Sequence, residues 1–218
     1  MDEAVKQRDP ERSKHRILLT AEQLFAEKGP AAGVDLIARK SGLNKRMIYH
    51  YFGSKAGLWQ AVLLRQYEKA ARVEADLPPD KSLSDVTAEL VERYYRFLAG
   101  DRVFVKILMH ENLQRGRSVR KIPVAHTKFP LLAALEKSIR AARLPHLDPD
   151  NLLIDCLALC FFYFSNAETL ATLFETDLQT PKNLGRRIDH VKQIVRMITA
   201  ADSAGPAGTG AAARGERS

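Results

Sequence analysis

Between Asp35 and Glu68 the sequence carries Arg39, Lys40, Lys45, Arg46, Lys55 and Arg65 and no acidic residue. Solvated faces usually mix signs, so cations without anions across residues 36–67 point to a polyanionic partner if they share a face. The local order gives them one. Val34, Ile37 and Ala38 are spaced as the apolar side of a short helix over 34–40. Ser41-Gly42-Leu43 reads as a tight turn in which glycine takes the unusual backbone angles. Asn44 is placed to cap a second short helix from Lys45 to about Phe52. Two short helices joined by a glycine-containing turn make a helix-turn-helix, whose second helix enters the DNA major groove with its N-terminal residues foremost.

The faces of the second helix separate by spacing. Ile48, Tyr51 and Phe52 belong to the side packed on the first helix. Lys45 with Tyr49, and Arg46 with His50, are four apart and share the opposite side. Cation, phenol and imidazole together can grip phosphates and read base edges, with Arg46 a candidate base reader. Met47, at the front, could touch a thymine methyl. Gly53-Ser54-Lys55 opens the following helix, whose first N–H groups and Lys55 can hold a backbone phosphate.

Other chemistry is sparse. Cys156 and Cys160 lie one turn apart and could chelate a metal or sense oxidation, but neither a histidine nor a third cysteine stands at ligand spacing. Buried structural thiols, with no metal and no cofactor, are expected instead. The histidines at 15, 50, 110, 126, 146 and 190 are scattered, and zinc-ligand, phosphate-loop, nucleophile-elbow and dinucleotide motifs are missing. The expectation is therefore no enzyme. An enzyme on an all-α scaffold and a helical adaptor for proteins remain the rival classes, and the adaptor leaves the acid-free stretch unexplained.

The elements holding these residues read as helix after helix, with no sustained period-2 alternation. The fold class is all-α, with about nine helices. Asp9-Pro10, Asp148-Pro149 and Thr180-Pro181 are helix starts, an N-cap followed by proline at the first helical position. Ser82 and Asp85 suggest a capping box for a helix ending near Gly100, and Asp101 can cap the next, to about Asn112. Pro123 and Pro130 should kink or break a helical region over 118–143. Asp148 to Thr176 predicts one helix of roughly 40 Å, apolar nearly all round from Leu152 to Phe164, as a helix buried between neighbours would be. Leu184, Ile188, Val191, Ile194, Val195 and Ile198 form one stripe of the last helix.

The whole chain has 218 residues, a formal charge of +8 and 45% hydrophobic residues, enough to bury a core without disulfides. Its charged start, without an apolar h-region, leads to the expectation of no secretory signal. The longest apolar run, Cys156 to Phe164, is far below the ~20 residues that span a bilayer. A cytoplasmic protein with no membrane partner is expected. Leu77-Pro78-Pro79-Asp80 marks the boundary between two units. Residues 1–8 and the Gly/Ala/Ser-rich tail 201–218 lack an apolar pattern and read as disordered.

Leu24-Phe25-Ala26-Glu27-Lys28-Gly29, Ile37-Ala38, Ser41-Gly42-Leu43-Asn44-Lys45, Ile48-Tyr49-His50-Tyr51-Phe52 and Lys55 with Leu58 strongly resemble the TetR/AcrR family of transcriptional regulators over about residues 12–62. The resemblance implies a three-helix DNA-binding domain at 9–75 and a helical ligand-binding and dimerisation domain at 80–200. It implies a homodimer, a repressor, bound to a palindromic double-stranded DNA operator and released by a small-molecule effector. Lys45, Tyr49, His50 and Lys55 match the family's usual DNA-contacting positions, while Ala31-Ala32-Gly33 stands where a Thr or Ser cap is usual and Arg46-Met47 replaces a frequent Gly-Thr pair. A palindrome needs two recognition helices roughly 34–36 Å apart, so DNA binding itself argues for the dimer. In the family the last two helices pair across the two-fold axis. The stretch from Asp148 to Leu170, with Glu111-Asn112-Leu113, is also weakly similar to a subgroup that includes pyrimidine-responsive regulators, from which no effector is carried over. Candidate pocket residues are polar groups on apolar helices, namely His110, His126, Tyr163 and Asn166, with Phe104, Met109 and Phe162 as walls. The alternative for each is a satisfied core or interface residue, and for Asn166 the dimer interface.

Overall fold

The computed structural model describes residues 9–75, 77, 81–123 and 132–200. Ten α-helices follow one another: α1 Pro10–Lys28, α2 Val34–Ser41, α3 Lys45–Phe52, α4 Lys55–Ala75, α5 Leu83–Gly100, α6 Arg102–Leu113, α7 Leu132–Ala142, α8 Pro149–Ser165, α9 Ala167–Leu173 and α10 Pro181–Thr199. Single 3-10 turns occupy Gly29–Ala31 and Val119–Lys121, and no strand occurs among the described residues. His126, Pro130, the Pro78-Pro79-Asp80 linker and the segments 1–8 and 201–218, all given roles above, lie outside the described residues.

Side-chain caps set the helix starts. Asp9 accepts from the N–H groups of Glu11 and Arg12 at 3.0 and 3.3 Å, Asp148 from Asn151 at 2.8 Å, and Thr180 from Asn183 at 3.3 Å. Each precedes a proline whose missing N–H costs nothing at that position. Ser82 accepts from the Asp85 N–H at 3.1 Å and donates to its carboxylate at 2.7 Å. Asp101 caps α6 through the Phe104 N–H at 2.9 Å.

The long helix expected from Asp148 to Thr176 is two helices bent by 71°. At the break the Asn166 side-chain amide donates to the Phe162 carbonyl at 3.1 Å and to the Ser165 hydroxyl at 2.9 Å. Such local side-chain bonds compete with continuation of the helical ladder. This break gives ten helices among the described residues where about nine were expected. Nor is α8 buried all round: Ile154 is 59% and Phe162 57% exposed. Among the described residues no single helix is long and apolar enough to cross a membrane.

Two hydrophobic cores result. The first gathers Ile17, Phe25, Ile37, Ile48, Leu58 and Leu63 from α1 to α4. The second joins α5, α7, α8 and α10 around Leu90, Tyr95, Leu135, Cys160 and Val191. Helix α6 belongs to both. Its Phe104 and Val105 lie in the second core, Ile107 is fully buried in the first, and Leu108 packs on both. Polar groups tie the same junction. The buried Glu111 carboxylate accepts the Trp59 indole N–H at 2.9 Å and the Ser118 and Val119 N–H groups at 2.6 and 3.0 Å. The Lys69 ammonium bridges buried Glu22 of α1 to Asp101, at 2.8 Å from the latter.

The join between α3 and α4 has no room to spare. A Cβ on Gly57 would stand 2.1 Å from the Phe52 carbonyl oxygen. We expect Gly57→Ala to push α4 away from the end of α3 and cost about 1–3 kcal/mol, the usual penalty of overpacking, measurable by urea denaturation.

Candidate nucleic-acid interface

Helix α2 starts at Gly33, whose extended backbone supplies the cap position without a side-chain bond. It ends at Gly42, where φ is +65° and the N–H bonds back to Ala38 and Arg39, a left-handed cap that favours glycine. Asn44 then caps α3 by accepting the Met47 N–H at 3.0 Å. The turn thus fixes α3 relative to α2, and Ile48 inserts fully buried into the first core. Tyr51 and Phe52 are half-buried against it, as their spacing predicts.

The opposite side of α3 faces outward. Lys45, Arg46 and His50 are exposed, and Tyr49 is 43% exposed despite its ring. Met47, expected at the front, is half-buried and packs on the core because its position also borders Ile48. Lys55 is half-buried at the first position of α4. Behind it the Ser54 hydroxyl accepts the Gly57 N–H at 3.0 Å. The other N–H groups of that turn have no acceptor within the helix, which favours an anion there.

One residue of this surface was not foreseen. Asp35, in the first turn of α2, holds the Lys45 ammonium at 3.0 Å. The hydrogen bond and charge of Asp35 raise the Lys45 pKa above its ordinary value. Lys45 sits at a helix N-terminus, where a cation is disfavoured, and Asp35 offsets that. The signal in the sequence was Asp35 itself, the last acid before the acid-free run.

The pocket candidates fare differently. An apolar cavity of about 130 Å³ lies where α4, α5, α6 and α8 meet, and of the named candidates among the described residues only Phe104 lines it. Its other walls are apolar or aromatic, among them Tyr67, Tyr94, Leu108 and Phe161. In sequence these could not be told from core residues. Met109 is 39% exposed and Phe162 is turned outward. The Tyr163 hydroxyl donates to the Leu178 carbonyl at 2.6 Å, so it serves the packing of the segment after α9. Asn166 is spent on the α8 terminus. His110 abuts the end of α1, its Nδ1 2.7 Å from where a Cβ on Gly29 would stand. It therefore packs against the turn that ends α1. Cys156 and Cys160 are buried, and burial pushes the Cys156 thiol up to about 12 and that of Cys160 higher still. Thiolate chemistry is thereby suppressed. Among the described residues no group of three metal-ligating side chains occurs.

Comparison with known proteins bears on this geometry. Residues 17–62 match the model of bacterial regulatory proteins of the tetR family, and residues 85–195 match a Tetracyclin repressor-like C-terminal domain. The chain is 31% identical over 186 residues to the HTH-type transcriptional repressor NicS of Pseudomonas putida, covering 80% of this chain and 86% of that protein. Its fold is similar to that of Salmonella enterica GusR, with a TM-score of 0.65 at 19% identity, covering 89% and 98% of the two chains. It is also similar to FadR of Bacillus subtilis in complex with stearoyl-CoA, with a TM-score of 0.62 at 19% identity, covering 84% and 97%. With a capped helix-turn-helix, its outward basic face and family matches across both cores, the chain belongs to the TetR family of DNA-binding transcriptional regulators.

Proposed function

We propose that the chain is a repressor that binds a palindromic operator as a homodimer and leaves it when a small molecule occupies the cavity between α4, α5, α6 and α8. The observation that carries the DNA-binding part is the outward face of α3: Arg46, Tyr49 and His50 are exposed above a buried Ile48, with Lys55 at the head of the next helix. Arg46 and Tyr49 meet base edges and sugar-phosphate, and Lys55 with the first turn of α4 seats one phosphate. NicS, a repressor by name, supports the sign of regulation.

The dimer rests on apolar side chains left uncovered in one subunit: Ile154 and Phe162 on α8, and Met197 and Ile198 on α10. The inner side of the α10 stripe, Val191 and Val195, is spent on the second core. Effector release rests on the cavity walls. Tyr67 and Ala70 come from α4, whose first residue is Lys55, and Phe104 and Leu108 from α6, which grips α4 through Glu111 and Trp59. A guest that prefers one spacing of α4 and α6 shifts the population toward dimers whose recognition helices miss the operator spacing. FadR of Bacillus subtilis, a neighbour in fold, was captured with stearoyl-CoA, which supports a small-molecule role for the C-terminal helices.

Tyr49→Ala and Lys55→Ala should each weaken operator binding in band-shift titrations by about tenfold, with the dimer intact by sedimentation. Wild-type affinity in both would remove the contact assignment. Asp35→Asn releases Lys45 for a phosphate. It should tighten binding to arbitrary-sequence DNA and steepen the slope of log affinity against log salt by about one per subunit. Phe162→Asp, at a position exposed in the subunit, should yield helical monomers that no longer retard operator DNA, read by light scattering and circular dichroism.

A further inference from the structure

The chemistry of the cavity walls narrows what can enter. Resting on the reading of this cavity as the effector site, we propose that its ligand is an uncharged, apolar molecule built on a single six-membered ring with at most short alkyl substituents. The wall is apolar almost throughout, drawn from Ala70, Leu98, Leu108 and Leu157 with the rings of Phe104 and Phe161. Among the described residues it offers no cation to a carboxylate or phosphate and no amide to a polar ring. Of its two phenols, Tyr94 donates its hydroxyl to the buried Glu74 carboxylate at 2.7 Å. Burial pushes the Tyr67 pKa up, and the charge of Glu111 adds to that.

Glu74 and Glu111 are both buried carboxylates in the surroundings of this cavity. An anion inside would lose its water and meet no cation or amide among the described wall residues to replace it, which opposes binding. A cation would lose its water equally, and the phenol of Tyr94 already occupies Glu74 on that side. Size sets the remaining limit. At about 130 Å³ the space is close to the ~150 Å³ apolar cavity that stays dry and takes up benzene. Phe104 is held edge-on by Phe97, with ring centroids 4.8 Å apart, so that wall is braced. A ring-sized guest fills the space as it stands; a long acyl chain does not.

The test uses the full-length protein with toluene as probe, and benzoate and benzylamine as an anion and a cation of similar shape. Toluene at ten times its Kd should raise the melting temperature by about 3–6 °C, while neither charged analogue does so. Ala70→Leu, which adds volume to the wall, should reduce the toluene shift at least threefold; Leu157→Phe is the second variant if the first melts too early. Stabilisation by benzoate or benzylamine without toluene overturns the proposal. So does a toluene shift that neither variant lowers. Operator band shifts with toluene present separate the two readings: if toluene binds in the cavity and the DNA complex persists, the ligand chemistry stands and release through this site falls.

Discussion

A helix buried on two sides by two different cores cannot move for one of them alone. Helix α6 is in that position: Phe104 and Val105 are packed in the C-terminal core and Ile107 in the N-terminal one, only a turn apart. Interiors packed to crystal-like density shift between discrete arrangements instead of stretching. Polar contacts stiffen the joint. Glu111 satisfies three donors from two segments, and removing it would strand a buried indole N–H and free two half-buried backbone N–H groups. Lys69 likewise links α1 to the cap of α6, so the start of α6 is tied to the DNA-binding unit at both a charged and an apolar point.

The same economy governs the basic face. Of the six cations in the acid-free stretch, Arg65 is held by Glu22 of α1 at 3.0 Å and so does not belong to this face. Burial of Ile48 turns α3 so that Arg46, Tyr49 and His50 point away from the core, while Asp35 claims Lys45. An exposed pair of this kind contributes little to stability. Its effect is on availability: a phosphate must displace a carboxylate to reach that ammonium, so the first turn of α3 holds less free charge than its composition implies.

Much of this was legible in the chain before any coordinates. Caps and prolines announce helix starts because they satisfy or dispense with N–H groups that the helix cannot, and Asp9, Asp101, Asp148 and Thr180 all do so where expected. The turn at Gly42 and the cap at Asn44 carry their geometry in their residue types. The break at Asn166 was hidden because an asparagine after an apolar run reads as the end of a stripe as easily as a bend. The cavity was hidden for a deeper reason. Tyr67, Leu108 and Phe161 differ from core residues only in what fails to pack against them, and an unfilled space leaves no mark on a sequence. Local partners could not be read from spacing either: Tyr163 and Asn166 donate to backbone carbonyls and His110 lies against Gly29.

The chain's single tryptophan stands at the joint, its ring edge-on to Phe25 at 5.2 Å and its N–H on Glu111. Indole emission responds to such a neighbourhood, a nearby carboxylate and shielding from water. Nature has thus placed an optical gauge where the two halves meet, and ultraviolet light alone can follow their relative adjustment without any label being attached.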